Sequence, residues 1–156
     1  MNKRYAVASL TLSAAAFVSL LVSEGYTDKA IIPVKGDVPT YGFGTTEGVK
    51  IGDRTDPVTS VKLALRDVVK FEGAIKECVK VPLSQVEYDV WLKFTYNIGA
   101  SAFCNSTAAR LLNDGQYKAA CDQMLRWVFV GQNKIQGLVN RRQKEHALCI
   151  SGLQQE

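Results

Sequence analysis

The first hydrophobic feature of the chain is an apolar run close to its N-terminus. Residues 5–22 form 18 consecutive positions without a charged side chain, and Lys3 and Arg4 precede them. A run of this length is at the lower limit for a transmembrane helix, and the basic pair predicts that the N-terminal tail stays in the cytoplasm. We therefore expect residues 5–22 to anchor the chain in the inner membrane, with the remainder exported.

Two other interpretations of this run stay open. Half of its positions are Ala, Ser or Thr, so its tendency to insert into a bilayer is weak compared with a leucine-rich span. The triplet at 14–16, Ala-Ala-Ala, resembles the cleavage site of a signal peptide. The run also fits an ordinary buried helix, because four residues share one helical face at i, i+3, i+4 and i+7, namely Phe17, Leu20, Leu21 and Glu24.

The pattern changes over residues 30–46. Short apolar pairs alternate there with turn-forming residues, which are Pro33, Gly36, Pro39, Gly42 and Gly44. Prolines and glycines at this density interrupt a helix and favour tight turns. The segment is therefore predicted to form a small β-hairpin.

Helical periodicity dominates the rest of the chain. Asp56 can cap a helix that has Pro57 at its first position and an apolar stripe extending to residue 75. Ser84 and Glu87 have the spacing of a capping box, which predicts the start of a central helix that Gly99 can end.

Three further helices are predicted over residues 107–113, capped by Asn105 or Ser106, over 116–129 and over 138–149. One hairpin among many helices predicts a mostly helical α+β fold. Its parts are an N-terminal helix or anchor, a small β-hairpin lobe and a helical C-terminal lobe.

Composition narrows the range of functions. The 156 residues are 47% hydrophobic and 22% charged, as expected for one soluble domain, and the net charge is +4. This charge is too small for a dedicated nucleic-acid binder, so we expect no nucleic-acid partner, but it suits anionic membranes or cell-wall polymers. The single histidine, His146, argues against a metal site and a histidine-centred triad. We expect neither a metal nor a cofactor.

The cysteines indicate the redox state of the compartment in which the protein folds. Their number is even and no pair has the C-x-x-C spacing: they are Cys78, Cys104, Cys121 and Cys149. This pattern favours two structural disulfides in an oxidising compartment, with buried free thiols as the alternative.

Glu24 is the first candidate for catalysis. It ends the apolar helical stripe and precedes Gly25, so its carboxyl group is expected to lie against apolar surface. Such surroundings disfavour the carboxylate and suit a general acid. Taken alone, Glu24 could equally mark the end of a membrane span.

A resemblance adds to this interpretation. Four blocks resemble, in order, those of phage-type lysozymes, glycoside hydrolase family 24: Glu24-Gly25-Tyr26 with Pro39–Gly44, then Phe94–Gly99, Phe103–Thr107 and Gly137–Arg142. With the weak N-terminal span, the chain is most similar to signal-anchor-release endolysins, which stay tethered and inactive until the anchor leaves the bilayer. The resemblance implies a lysozyme-like fold, with a signal anchor over residues 1–23 and a catalytic domain over 24–156.

The resemblance also implies the catalytic residues. Glu24 matches the family's acid, and Thr40 matches the residue that positions the attacking water. Glycosidic cleavage needs such a proton donor on one side of the sugar and support for the nucleophile on the other. The separation of Glu24 and Thr40 is one residue longer than the family pattern, and no acid stands at the usual intermediate position. The acidic residues between Glu24 and Thr40 are Asp28 and Asp37, and Asp37 is the better candidate, although its surroundings are also ordinary turn sequence.

Further positions follow from the same resemblance. Tyr96, Asn97 and Ser106 match positions of the substrate cleft, although Tyr96 could be a core residue. Arg141 or Arg142 matches an arginine that pairs with the catalytic glutamate, and the alternative is a solvated basic helix end.

The implied disulfides and functions complete the sequence-based expectations. By resemblance Cys78 pairs with Cys104 and Cys121 with Cys149. The implied protein is a monomeric endolysin, anchored in the inner membrane facing the periplasm and then released. It would be a muramidase that cleaves peptidoglycan between N-acetylmuramic acid and N-acetylglucosamine during host lysis. A lytic transglycosylase and a non-catalytic, membrane-anchored wall-binding protein stay open as alternatives.

Overall fold

Residues 3–153 are described by a computed structural model, which divides them into two units. The hairpin unit comprises residues 14–70, and the helical unit joins the chain up to Ser13 to the chain from Phe71 onward. These limits reflect packing, whereas the predicted boundary after residue 23 concerns the membrane anchor and stays a prediction.

The hairpin unit begins with helix α1, Ala14–Glu24. Leu20 is fully buried, and Phe17, Leu21 and Glu24 are half-buried. Val22 on the other side of the helix is 78% exposed. The burial pattern therefore agrees with the helical face expected from the sequence.

Strands β1, Thr27–Ile31, and β2, Thr40–Gly42, pair in antiparallel fashion and form the predicted hairpin. The first strand begins three residues earlier than residue 30, where the sequence placed the hairpin's start. The reason is Gly25, whose positive φ of 70° turns the chain out of α1 at once.

Helix α2, Pro57–Cys78, runs from the hairpin unit into the helical unit. Asp56 caps it as predicted, since its Oδ1 accepts the Thr59 N–H at 3.0 Å. Gly42 of β2 approaches α2 so closely that a Cβ atom there would lie 2.7 Å from the Ser60 Oγ. Only glycine fits, and its φ of +60° adds a second reason.

The remaining elements belong to the helical unit. The helices are α3, Gln85–Ile98; α4, Ala100–Cys104; α5, Thr107–Asn113; α6, Tyr117–Gln123; and α7, Gln136–Leu153. A second small hairpin consists of β3, Phe129–Val130, and β4, Asn133–Lys134. The Ser84 capping box that opens α3 is confirmed.

Gly99 ends α3 as predicted, with a positive φ of 96°, and α4 begins directly after it. One detail of the helical unit differs from the sequence prediction. Helix α6 ends at Gln123 instead of extending to residue 129, because a 3-10 turn and the second hairpin follow it.

Aromatic rings form the centre of the helical unit. The Trp91 ring lies 5.5 Å from that of Phe103, and the Phe94 ring meets that of Trp127 edge-on at 5.9 Å, measured between centroids. Trp91, Phe94 and Phe103 are almost completely buried. Such edge-on and tilted contacts add to the stabilisation from burial.

Two disulfides close loops of the helical unit. Cys78 is bonded to Cys104 and Cys121 to Cys149, with Cα atoms 5.6 and 5.8 Å apart respectively. This is the pairing that the resemblance implies.

The fold class predicted from the sequence is confirmed: mostly helical, with a small hairpin. Residues 5–22, expected to form one spanning helix, do not do so here, since residues 10–13, which have no regular secondary structure, separate a 3-10 turn, Val7–Ser9, from α1. Within residues 3–153 no helix combines the length and apolarity needed to cross a bilayer.

Candidate active site

The hairpin unit carries the predicted acid, Glu24, at the last position of α1. Gly25 then redirects the chain into β1, where Thr27 pairs with Gly42 of β2. The rings of Tyr26 and Phe43 meet at 5.4 Å between centroids. Strand pairing and ring contact thus tie the segment that follows Glu24 to the segment that begins with Thr40.

Thr40 has a defined hydroxyl orientation. Its Oγ1 donates to the carbonyl oxygen of Thr45 at 3.3 Å, and that carbonyl also accepts the Tyr41 N–H at 3.1 Å. Because the hydroxyl proton is engaged in this bond, the oxygen presents its lone pairs as acceptors. A water molecule beside Thr40 could donate to them.

A buried hydrogen bond holds Thr45, whose carbonyl accepts the Thr40 hydroxyl. Thr45 is 1% exposed, and its Oγ1 donates to Oδ2 of Asp67 on α2 at 2.9 Å. The other carboxylate oxygen of Asp67 accepts from the Arg66 guanidinium at 3.1 Å. No sequence pattern points to Thr45 and Asp67, because their contact joins residues 22 positions apart in different parts of the fold.

Asp37 lies in the turn between the strands. Its backbone N–H donates to the Val34 carbonyl at 2.9 Å, and its own carboxylate accepts the Val38 N–H at 3.0 Å. The side chain is exposed. Asp28, the other acid of this segment, pairs with Arg54 at 2.7 Å. These contacts are those of a turn-forming aspartate, and a catalytic role of Asp37 stays a prediction.

The helical unit holds the predicted arginines in different surroundings. Arg142 is 1% exposed, so the alternative of a solvated basic end is wrong for it. Its guanidinium bonds to Glu145 and to Asn97, donates to the Trp127 carbonyl at 3.0 Å and lies 4.9 Å from the centre of the Phe94 ring.

Arg141 is half-buried, and its Nε lies 3.2 Å from a carboxylate oxygen of Glu145. Glu145, itself buried, therefore bonds both arginines. Glu145 was not among the residues predicted from the sequence, although it stands four residues after Arg141 and three after Arg142. That is the spacing at which helical side chains of opposite charge meet.

The other predicted binding residues have structural partners. Asn97 orients Arg142 through its side-chain oxygen, and the Tyr96 ring packs on that of Phe71 at 5.0 Å. The Ser106 hydroxyl donates to the Phe103 carbonyl at 2.6 Å and accepts the Ala109 N–H at 3.1 Å, which caps α5. A hydrogen bond joins two of the predicted residues, Asn97 and Arg142, directly.

Metal ligation has no visible basis in the described part of the chain, residues 3–153, where His, Cys, Asp and Glu form no cluster of three or more that could hold an ion. His146 bonds instead to Oδ1 of Asp122 at 2.8 Å.

Comparisons with known proteins agree with this picture. A family model described as phage lysozyme matches residues 22–145. The SAR-endolysin of Pseudomonas phage phiKMV is 35% identical over 154 residues, which cover 96% of this chain and 93% of that protein.

Two solved structures are similar throughout. A mutant of P22 lysozyme has a TM-score of 0.75 at 35% identity, covering 90% of this chain and 99% of that one. The endolysin from Escherichia coli O157:H7 phage FAHEc1 has a TM-score of 0.78 at 30% identity, covering 91% and 94%.

Proposed function

This chain belongs to the phage lysozyme family, whose members are peptidoglycan-hydrolysing enzymes, and we propose that it is an endolysin of the muramidase type. Its substrate is the β-1,4 bond between N-acetylmuramic acid and N-acetylglucosamine. The observation that supports this best is the hairpin geometry, which places Glu24 at a helix end and ties the following chain to the strand of Thr40.

In the proposed reaction Glu24 is the general acid. Its carboxyl group gives a proton to the glycosidic oxygen as the bond to the anomeric carbon breaks. The Thr40 oxygen accepts a hydrogen bond from the water that attacks this carbon from the opposite face. Asp37 is the candidate for the base that takes the proton from this water.

Clearing of purified peptidoglycan by the full chain in its released form tests the acid. Glu24→Gln keeps the size of the side chain and removes the transferable proton, so activity is expected to fall roughly 10²- to 10⁴-fold. Glu47→Gln is the matched control, because Glu47 is an exposed glutamate of the same unit that pairs with Lys70. Wild-type clearing by Glu24→Gln rejects the acid assignment.

The same assay separates the alternatives. A hydrolase leaves reducing ends, whereas anhydromuramic ends identify a lytic transglycosylase. Pelleting with cell walls in the absence of any clearing identifies a binding protein without catalysis.

Variants of the hairpin separate the roles of its two polar residues. Thr40→Ala is expected to lower the rate about 10²-fold by misplacing the water, while Thr40→Ser keeps the hydroxyl and most of the activity. A comparable loss in Asp37→Asn identifies Asp37 as the second catalytic carboxylate. Full activity in that variant assigns it to the turn alone.

We also propose that residues 1–23 are a signal anchor and residues 24–156 the catalytic domain. Residues 5–22 hold the chain in the inner membrane, facing the periplasm, until it is released there as a monomer. The likeness to a SAR-endolysin over nearly the whole chain supports this location, as do two disulfides, which suit an oxidising compartment.

A further inference from the structure

The turn that follows Thr40 is closed by its own backbone. Tyr41 and Thr45 exchange two backbone hydrogen bonds, each 3.1 Å long, and between them Gly42 and Gly44 have φ values of 60° and 89°. The Thr45 carbonyl, which accepts the Tyr41 N–H, also accepts the Thr40 hydroxyl at 3.3 Å. The position of this carbonyl oxygen therefore sets the direction in which the Thr40 hydroxyl proton points.

Helix α2 holds this turn at two points. Gly42 lies against Ser60, which is fully buried, and the Thr45 hydroxyl donates to Oδ2 of Asp67 at 2.9 Å. Ser60 and Asp67 are seven residues apart, which places them on the same face of a helix, two turns from each other. The helix thus holds both the start and the end of the turn.

Arg66 fixes the orientation of the Asp67 carboxylate. The other carboxylate oxygen, Oδ1, accepts from the Arg66 guanidinium, with 3.1 Å to Nη2 and 3.3 Å to Nε. Asp67 is 9% exposed, so little water competes for Oδ2. Hydrogen bonds to a charged carboxylate are about twice as strong as those between neutral groups. The Thr45 hydroxyl therefore has one strongly preferred acceptor.

We propose that Asp67 is a positioning residue of the reaction, which acts through Thr45 to keep the Thr40 oxygen an acceptor toward the attacking water. The inference rests on the proposed function for the role of Thr40. A water that attacks the anomeric carbon must direct a lone pair at that carbon and donate its protons elsewhere. While the Thr45 carbonyl is held in place, the Thr40 oxygen can receive one of these protons.

Loss of the Asp67 contact is expected to reverse the polarity of the Thr40 hydroxyl. Once the Thr45 carbonyl moves, the Thr40 proton can point to the water and occupy the lone pair that has to attack. The water is still bound in this arrangement, but it is turned away from the anomeric carbon. The rate of the chemical step should therefore fall while substrate affinity stays close to wild type, as when only a transition-state interaction is removed.

The kinetics of peptidoglycan clearing by the full chain test this role. Asp67→Ala removes the acceptor and is expected to lower the rate at saturating peptidoglycan about tenfold or more, with the half-saturating concentration nearly unchanged. Thr45→Val removes the donor, keeps the shape and should cause a comparable loss, whereas Thr45→Ser keeps the hydroxyl and most of the rate. A wild-type rate in either Asp67→Ala or Thr45→Val overturns the proposal.

A double-mutant cycle separates positioning from a general structural effect. In the Thr40→Ala background there is no hydroxyl to orient, so Asp67→Ala should lower the rate further by less than about twofold. A merely structural role predicts the same loss in both backgrounds, and that result rejects the proposal. Asp56→Ala is the matched control: it removes the carboxylate that caps α2 through Thr59, so it should lower the unfolding temperature and leave the rate per folded molecule unchanged.

Hydrogen exchange of the Tyr41 amide gives a measurement that does not depend on catalysis. This amide donates to the Thr45 carbonyl, so Asp67→Ala and Thr45→Val are expected to speed its exchange about tenfold, and Asp56→Ala should not. Unchanged Tyr41 exchange in the folded variants of Asp67 and Thr45 overturns the proposal. If Asp67→Ala does not fold, Thr45→Val and Thr45→Ser carry both measurements.

Failure of this proposal differs from failure of the proposed function. A wild-type chain that clears no wall rejects the muramidase function, and faster Tyr41 exchange in Asp67→Ala then still shows that Asp67 fixes the acceptor of the Thr40 hydroxyl. A chain that clears walls, loses this activity in Thr40→Ala and keeps it in Asp67→Ala retains the muramidase function and rejects the positioning role.

Discussion

Replacement of Glu145 by Gln is expected to destabilise the helical unit strongly. Arg142 is 1% exposed, and Glu145 provides the carboxylate that balances its charge. Breaking a buried ion pair by removing one partner costs about 3 to 5 kcal/mol. The lower end applies here, because Arg142 keeps its bonds to Asn97 and to the Trp127 carbonyl and Gln retains one acceptor oxygen.

Urea unfolding with the disulfides intact measures this cost. With a denaturant slope of about 2 kcal/mol/M, a loss of about 3 kcal/mol lowers the unfolding midpoint by about 1.5 M at unchanged slope. The control Asp114→Asn removes an exposed partner of Arg110 and should change stability by less than about 1 kcal/mol.

The activity of the folded variant distinguishes a structural role from a catalytic one. Without urea, and at a temperature well below thermal unfolding, Glu145→Gln should clear peptidoglycan at close to the wild-type rate per folded molecule. A midpoint within about 0.3 M of wild type, together with a hundredfold loss of clearing, would refute the reasoning and place this pair in the chemistry.

Two further expectations concern retention and acid stability. Replacing Ser9 and Ser19 by Leu makes the proposed anchor more apolar, at positions that are exposed in the folded chain. Lysis should therefore be delayed, and more protein should fractionate with membranes. Unchanged lysis timing contradicts release from an anchor. The hydrogen bond with His146, followed by that from Lys118, holds the pKa of Asp122 below its ordinary 3.8. The stabilisation that the charged Asp122 contributes is complete above pH 3.8 and is lost as the pH falls through the lower pKa of the folded state. Asp122→Asn should therefore flatten the fall of Tm with pH below about 4. Parallel Tm curves for the variant and the wild type contradict this expectation.

Local chemistry explains which elements could be predicted. The start of α2 follows from Asp56 and Pro57, and the start of α3 from the pair Ser84 and Glu87, because caps involve residues three positions apart. The second hairpin was not predictable in the same way, since strands of two residues carry no alternation that a pattern could reveal.

Long-range contacts explain the rest. The N-terminal segment leaves the predicted helical path because Ser13 bonds to Asp89, 76 residues away. Arg142 looks like a surface residue in the sequence, and its burial depends on Asn97, 45 residues earlier. Composition and periodicity carry no information about such partners, whereas the Glu24 and Thr40 motifs could be recognised because they are short and ordered.

In the tethered state proposed above, the position of Arg4 makes release depend on the membrane potential. In the proposed tethered state Lys3 and Arg4 lie on the negative side of an energised membrane, and both must cross it before Arg4 can pair with Glu87. Moving one charge against the potential costs about 2.3 kcal/mol per 100 mV, so at a potential of about 100 mV the two together are held back by roughly 5 kcal/mol. On this proposal, loss of a potential of about 100 mV shifts the equilibrium between tethered and released chains by about three powers of ten. In the proposed tethered state the N-terminal basic pair acts as a gating charge that responds to the membrane voltage.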